Sequence, residues 1–205
     1  MWKGFLVGLV VANGFEWVAH KYILHGTHRS GKPRYSPVPD SMKSHWEHHR
    51  EVRKTDFHDH GYVEGISNWR TKNEIVSLAV VAGTASVLFY PLSKGMAAAA
   101  VYSACNYYYI HRRSHLEPDW AIKKIPWHYD HHMNSNQDAN WCVTKPWFDY
   151  ILGTRVISSE NLQEQNPLGI ALPQPFSKVL NFVAERYFPA KWVEKVSKLE
   201  FKVEA

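Results

Sequence analysis

Residues 75–92 read IVSLAVVAGTASVLFYPL, a long run without a charged side chain. An α-helix rises about 1.5 Å per residue, so this run is about 27 Å long as a helix and close to the hydrocarbon thickness of a bilayer. A second apolar run, MAAAAVYSACNYYYI, occupies residues 96–110, and a third, GFLVGLVVANGF, occupies residues 4–15. The runs predict an all-α integral membrane protein with about three membrane helices, at residues 2–24, 75–92 and 95–113.

These apolar runs have two other interpretations. The pair between residues 75 and 110 also fits a buried helical hairpin of a soluble protein, in keeping with the mean hydropathy of −0.39. The N-terminal run also has the form of a cleavable signal peptide, with Lys3 before it and a weak cleavage site at residues 10–12. The placement of the basic residues argues against both interpretations.

The 24 lysines and arginines are concentrated in two segments. Lys3 alone precedes the first predicted helix, Lys94 alone lies in the turn after the second, and Lys21 lies near the end of the first. Nearly all the others fall in residues 26–74 and 114–205. The positive-inside rule places both segments in the cytoplasm, as a helical cap on one domain of residues 1–205. A bacterial inner membrane and the endoplasmic reticulum fit equally well.

The remaining composition excludes other classes of protein. Two cysteines cannot build a disulfide framework, and the net charge of +5 suits an anionic membrane surface. No nucleic-acid-binding motif is present, so no nucleic-acid partner is expected. Residues 176–203 mix apolar and basic side chains near a helical period, interrupted by Pro189. They predict two amphipathic helices, either on the membrane surface or packed on the cytoplasmic core.

Ten of the 13 histidines occur in four short motifs. These are HKYILH at residues 20–25, HWEHH at 45–49, HRRSH at 111–115 and HYDHH at 128–132. A helix turns by about 100° per residue, so the three histidines of an HxxHH motif lie on one face. His20 and His25 are about 140° apart on an ideal helix, and they converge only if the helix ends or distorts between them.

The predicted topology brings the four motifs to the same side of the membrane. Neutral imidazole binds iron, zinc, copper and nickel well, and ten imidazoles exceed the need of one ion. The sequence therefore predicts a two-ion centre at the cytoplasmic membrane boundary. Its candidate ligands are His20, His25, His45, His48, His49, His111, His115, His128, His131 and His132. The three other histidines, His28, His58 and His60, are expected to be ordinary surface or core residues.

Together these motifs resemble those of the integral-membrane fatty acid hydroxylase superfamily, which also contains sterol desaturases. Residues 134–155, NSNQDANWCVTKPWFDYILGTR, are similar to the stretch that follows the last histidine motif in that superfamily. Residues 19–26, AHKYILHG, also resemble carotenoid ring hydroxylases. The resemblance implies a di-iron centre that uses O2 to attack a C–H bond of a lipid, such as a fatty acyl chain. Superfamily members usually have four or more membrane helices, whereas this sequence predicts three.

The resemblance implies a reaction that needs electrons from outside the chain. The sequence has no dinucleotide-binding fingerprint, P-loop, haem-attachment motif or ferredoxin cysteine pattern. A separate donor is therefore expected, either ferredoxin or cytochrome b5 with a reductase. Four activities remain open: hydroxylation, desaturation at the same centre, zinc-dependent hydrolysis at the membrane, and metal or lipid binding without catalysis. Zinc is also expected to replace iron readily in purified protein.

Other polar and aromatic residues are candidates to support the centre. Carboxylates that accept a hydrogen bond from a ligand ring orient that ring, and the candidates for this role are Glu16, Glu47, Asp130 and Asp138. Glu16 is favoured because it lies inside an apolar segment, one turn before His20. Asn140 and Asp149 are weaker candidates. Aromatic side chains near the motifs, Tyr107, Tyr108 and Trp141, are candidates to line the substrate entrance, although an interfacial aromatic belt explains them equally well.

Overall fold

The computed structural model describes residues 1–26, 32–158, 166–188 and, for the backbone, 191–193. Within these ranges the regular secondary structure is helical apart from one pair of short strands, in agreement with the all-α prediction. The helices are α1 Trp2–Val18, α2 Asp40–Lys54, α3 Gly61–Glu64, α4 Trp69–Phe89, α5 Lys94–Leu116, α6 Pro118–Lys124, α7 Pro126–Met133, α8 Trp147–Ile151 and α9 Gln174–Tyr187. A π-helix, Ala19–Leu24, continues α1, and a 3-10 turn, Gly65–Ser67, precedes α4. Strand β1, Val156–Ser158, pairs in parallel with β2, Lys191–Val193.

The three long apolar helices pack side by side, with α5 between α1 and α4. Gly8 of α1 lies directly against α5, where a Cβ atom would clash with the side chain of Ala99. Small residues at such a crossing let two helix backbones approach closely, which is the usual way that helices pack in lipid. Large apolar side chains of α4, including Val80 and Val87, point outward and are exposed. The helices therefore present an apolar outer surface.

The number of predicted membrane helices is only partly supported. Within the described part of the chain, α4 is the single helix that is both long and apolar enough to cross a membrane, judged by length and composition. The α-helical part of α1 has 17 residues, and α5 ends in the charged residues Arg112 and Arg113. All three predicted segments are helical, at nearly the predicted bounds. That α1, α4 and α5 cross the membrane is a proposal.

The C-terminal segment differs from its prediction in two ways. Helix α9 ends before Pro189, as expected, but residues 191–193 form strand β2 and not a second helix. Within α9, Ser177 and Ala184 are buried, whereas Phe176, Val179 and Phe182 are exposed. The apolar face of α9 is therefore not packed on the protein core, which favours the alternative of a helix on the membrane surface. Residues 194–203 of the prediction lie outside the described residues.

Candidate metal centre

Four structural elements bring the ten motif histidines together at one end of the long helices. The π-helix and the residue after it carry His20 and His25, α2 carries the HWEHH motif, α5 ends with the HRRSH motif, and α7 carries the HYDHH motif. Nine of the ten rings are buried, and His25 is half-buried. The helical spacing therefore places the two HxxHH triplets and the His111–His115 pair on inward faces, as the sequence predicted.

Nine of the rings form two groups in which the ligating nitrogens lie within 4.8 Å of one another. Group one contains His20, His25, His45, His49 and His131, and group two contains His48, His111, His115 and His132. Nε2 of His128 lies 3.2 Å from Nε2 of His115, so the tenth ring adjoins group two. The groups are neighbours, because the rings of His49 and His132 are 4.1 Å apart between centroids. This arrangement offers two adjacent ion positions.

The π-helix explains how His20 and His25 reach the same group. The amide of His25 donates to the carbonyl of His20 over 2.9 Å, a hydrogen bond between residues five apart. A π-turn widens the helix, and such turns occur most often at functional sites. It brings the two rings to 5.2 Å between centroids, although an ideal α-helix would separate their directions. The sequence predicted that a distortion was required here.

Backbone carbonyls orient three of the rings through Nδ1. His20 donates to the carbonyl of Trp141 over 2.5 Å, His115 to that of Phe57 over 2.9 Å, and His131 to that of Ala139 over 2.7 Å. A carbonyl can only accept, so the hydrogen of each neutral ring sits on Nδ1. In all three rings Nε2 then carries a free lone pair, which is the form that binds a metal ion.

Two carboxylates that were not predicted orient two rings of group two. Asp59 lies 2.7 Å from Nδ1 of His48, and Glu74 lies 2.6 Å from Nδ1 of His111. Asp59 also pairs with Arg70 over 2.7 Å, and Tyr62 donates to Glu74 over 2.7 Å. Burial raises the pKa of Asp59, but its bonds to His48 and its other neighbours outweigh burial and lower that pKa overall. Glu74 could have been proposed from the sequence, since it is an ionisable residue at the edge of an apolar helix.

The donor set fits metal ions. Burial, reinforced by the neighbouring imidazoles, lowers the pKa well below its ordinary value in His45, His49, His128, His131 and His132. These rings are therefore neutral and available as ligands at physiological pH. Seven buried ring nitrogens on six of the motif histidines have no hydrogen-bond partner in the described structure. An unsatisfied buried polar atom costs about 1–3 kcal/mol, and the two groups could satisfy several of these nitrogens by binding metal ions.

Glu16 was predicted to hydrogen-bond a ligand ring, but no such bond is found within the described residues. Its carboxylate accepts from the amides of Val143 and Thr144 and from the Thr144 hydroxyl. Asp149 accepts from the amides of Trp141 and Cys142 over 2.8 and 2.9 Å. Both carboxylates thereby fix the loop whose Trp141 carbonyl holds His20. The expected direct contact is corrected to an indirect one.

The three other predicted carboxylates are also placed differently. Asp130 is buried and pairs with Arg155 over 2.9 Å, which ties α7 to the segment between α8 and β1. Glu47 is half-buried, and no hydrogen bond from it to a histidine is found within the described ranges. Asp138 is exposed, and its amide donates to Asn136. Asn140 binds the amide of Val156 and Arg155, so its role is also in the loop.

The predicted aromatic residues lie against the two groups. Trp141 is buried and packs on His25 and His131, with ring centroids 4.8 and 5.5 Å apart. Its indole nitrogen is buried without a hydrogen-bond partner in the described structure. The ring centroid of Tyr107 lies 5.4 Å from that of His111. Tyr108 contacts Tyr62, and it contacts no motif histidine in the part of the chain that the structure describes. Of the three predicted aromatic residues, Trp141 and Tyr107 therefore contact motif histidines and Tyr108 does not, in the part of the chain that the structure describes.

The histidines outside the motifs stay outside the two groups where the structure describes them. His58 is half-buried and donates from Nδ1 to the carbonyl of Thr55 over 3.1 Å. His60 is exposed and stacks on His58. His28 lies outside the described residues.

Replacing Glu74 by glutamine should weaken metal binding at group two. The amide cannot supply the charge that polarises His111, and loss of such a partner typically lowers metal affinity by about 10–100-fold. The measurement is a competition titration of zinc or cobalt between the protein and a chelator. The matched control is Glu117→Gln, since Glu117 is exposed and pairs with Arg113 at the surface. Equal affinity in the Glu74 variant and the wild type would show that Glu74 does not orient a ligand.

The comparisons with known proteins agree with the geometry. A sequence model described as fatty acid hydroxylase matches residues 5–154, which is most of the chain and includes all ten motif histidines. Neither the search of curated proteins nor the search of solved structures found a match.

Proposed function

Because the chain belongs to the fatty acid hydroxylase family, we propose that it is an integral-membrane oxygenase that hydroxylates a lipid with O2 at a two-iron centre. Family membership by itself makes the chain an oxidoreductase with a metal-dependent site. The substrate class that we propose is a fatty acyl chain or a related lipid. We place the centre at the cytoplasmic face of the membrane.

The observation that carries the proposal is the pair of adjacent imidazole groups. Each group offers four or five buried nitrogens within 4.8 Å of one another, enough for an ion with a position left for O2 or substrate. An unactivated C–H bond is beyond acid–base or nucleophilic side chains, so bound iron would supply the redox chemistry. The chain itself supplies ligands, ring orientation and exclusion of water.

The residues around group one suggest how substrate would meet the centre. Trp141 covers His25 and His131, and its buried indole N–H can donate to an oxygen atom of a bound substrate. Tyr107 lies on α5, whose apolar neighbours face outward from the helix bundle. A lipid chain entering sideways between the long helices would therefore reach the centre without leaving an apolar environment.

The proposed reaction consumes a lipid C–H bond, O2, two electrons and two protons, and yields a hydroxylated lipid and water. Desaturation by the same centre is the nearest alternative, because it too begins with removal of a hydrogen atom. Zinc-dependent hydrolysis is less favoured by the geometry. A hydrolase needs a carboxylate free to act as a base, whereas Asp59 and Glu74 are each bonded to a ligand ring.

Cells that produce the protein should contain a lipid that has gained one oxygen atom. The measurement is lipid mass spectrometry on cells with the wild-type chain, with the His131→Ala variant and with an empty vector. A new hydroxylated lipid in the wild type alone identifies the substrate. A lipid that has lost two hydrogen atoms would show desaturation in place of hydroxylation. An unchanged lipid profile at good expression, with an electron donor present, would contradict the proposal.

A further inference from the structure

An aromatic cage holds the ammonium group of Lys21, the residue that follows His20 in the π-helix. The ammonium lies 4.5 Å from the ring centroid of Trp17, 5.4 Å from that of Tyr22 and 6.0 Å from that of Trp141. A cation is attracted by each aromatic face that it approaches, and these contacts restrain a side chain that is otherwise very flexible. The fold therefore sets the position of this charge.

Hydrogen bonds and packing hold the cage in place. Trp17 is buried, and its indole N–H donates to the hydroxyl of Thr154 over 2.9 Å. The rings of Trp17 and Tyr22 meet edge to face, with centroids 5.9 Å apart. Trp141 is buried as well, and its ring centroid lies 4.8 Å from that of His25. One indole thus contacts both the Lys21 charge and a ring of group one.

Lys21 has no acidic partner in the described part of the chain. It forms no ion pair with a carboxylate among the described residues. The two carboxylates that hold the loop of Trp141, those of Glu16 and Asp149, accept hydrogen bonds from the backbone amides of residues 141–144. The side chain of Lys21 is half-buried, so its charge can be reached by an anion from outside.

This charge lies close to the accessible edge of group one. His25 is the half-buried ring of the ten, and the neighbouring Tyr22 is exposed. Since Trp141 contacts both, the separation of the ammonium from the His25 ring cannot exceed 6.0 Å and 4.8 Å taken together. The hydrocarbon of one bilayer leaflet is deeper, at about 15 Å. An anionic group held by Lys21 would therefore bring the first part of an attached acyl chain to group one.

We propose that Lys21 binds the anionic head group of the lipid substrate, and that this contact sets which carbon atoms of the chain face group one. The inference rests on the proposed function and narrows its substrate to a lipid with a carboxylate or a phosphate at the head. In the proposed topology the end of α1 lies at the level of the head groups. The buried indole N–H of Trp141, which has no partner in the described structure, can donate to another oxygen atom of the same lipid. A neutral sterol or carotenoid would gain nothing from the charge.

Lipid binding to zinc-loaded protein tests this contact without requiring turnover. The probes are palmitate, methyl palmitate and dipalmitoyl phosphatidate, each titrated into the full-length chain in a nonionic detergent, at a pH where the carboxylate is ionised. We expect an anionic lipid to bind about ten- to a hundredfold more tightly than the neutral ester, because hydrogen bonds between charged groups are the stronger ones. The tighter of the two anionic lipids identifies the head group as carboxylate or phosphate.

Variants of Lys21 separate a specific contact from general attraction to a basic protein. Lys21→Gln should lose most of the preference for the anionic lipid, at unchanged zinc content, and Lys21→Arg should retain it because the charge is kept. The matched control is Lys54→Gln, since Lys54 is exposed at the end of α2 and touches neither the cage nor a motif histidine in the described structure. The control should keep the wild-type preference, whereas general attraction would weaken it in both variants alike.

The position of the inserted oxygen gives a second readout once turnover is established. Mass spectrometry of the product should place the hydroxyl group in the half of the acyl chain nearer to the head. Lys21→Gln should give a wider spread of positions, because the head is no longer held.

Three results would overturn the inference. They are equal binding of the ester and both anionic lipids by the wild-type chain, an undiminished preference in Lys21→Gln, and oxygen inserted in the half of the chain nearer to the methyl end. Failure of the proposed function is a separate outcome. A chain that binds the anionic lipid through Lys21 but never oxidises it with iron, O2 and a reductant would contradict the oxygenase and leave the binding site standing.

Discussion

The variant His131→Ala should lose one of two bound metal ions and essentially all lipid turnover. His131 belongs to group one, and the carbonyl of Ala139 holds its Nδ1, so that its Nε2 faces the other nitrogens of the group. Losing a residue that merely orients a ligand costs about 10–100-fold in metal affinity, so losing a ligand should cost more than about a hundredfold. His48→Ala should do the same at group two.

Metal content is measured by mass spectrometry of the purified variants, alongside turnover of the lipid identified in cells. The control is His60→Ala, because His60 is exposed and outside both groups. The control should retain both ions and wild-type turnover. Full turnover by either ligand variant, at wild-type metal content, would mean that the two groups are not the catalytic centre.

The variant Arg155→Met should destabilise the chain by about 3–5 kcal/mol, which is the usual cost of removing one partner of a buried ion pair. Arg155 is fully buried and donates to Asp130 over 2.9 Å, to Asn140 over 3.0 Å and to the Val156 carbonyl over 2.6 Å. Asp130 lies between two ligands in the HYDHH motif. Loss of the pair should therefore lower metal affinity as well as stability.

Stability is measured by thermal unfolding in detergent, with and without added metal. The double variant Asp130→Asn/Arg155→Met removes the buried charge together with its partner, so it should be less destabilised than the sum of the two single variants. Arg113→Met, which removes a surface pair with Glu117, should change stability far less than Arg155→Met. A loss of similar size in the Arg113 and Arg155 variants would show that burial of the pair has no special energetic role.

Apolar runs locate the long helices well, but they miss the beginning of α4. The first run continues as helix from residue 2 to residue 24, as predicted, with its π-turn between the two histidines. Helix α4 begins at Trp69, six residues before the predicted start at residue 75, because the Asn68 side chain accepts from the amides of Arg70 and Thr71. The polar capping residue and the charged side chains in the first turns of α4 are not part of the apolar run, so the run begins later than the helix.

The histidine motifs could be found in the sequence because helical spacing alone places their rings on one face. The groups that orient the rings could not be found in the same way. The carbonyls of Phe57, Ala139 and Trp141 have no residue signature, and Asp59 reaches His48 through a turn with two positive φ angles. Asp138 looked suitable beside the last motif, but the loop leaves it exposed. Such roles depend on tertiary structure and not on spacing.

The most direct test of the central claim supplies iron-loaded protein with isotopically labelled O2, lipid and a chemical reductant. We expect a lipid product that carries one labelled oxygen atom, formed with iron and absent with zinc. Product that forms under argon, or that takes its oxygen from water in the presence of zinc, would contradict an oxygenase and would identify a hydrolase instead.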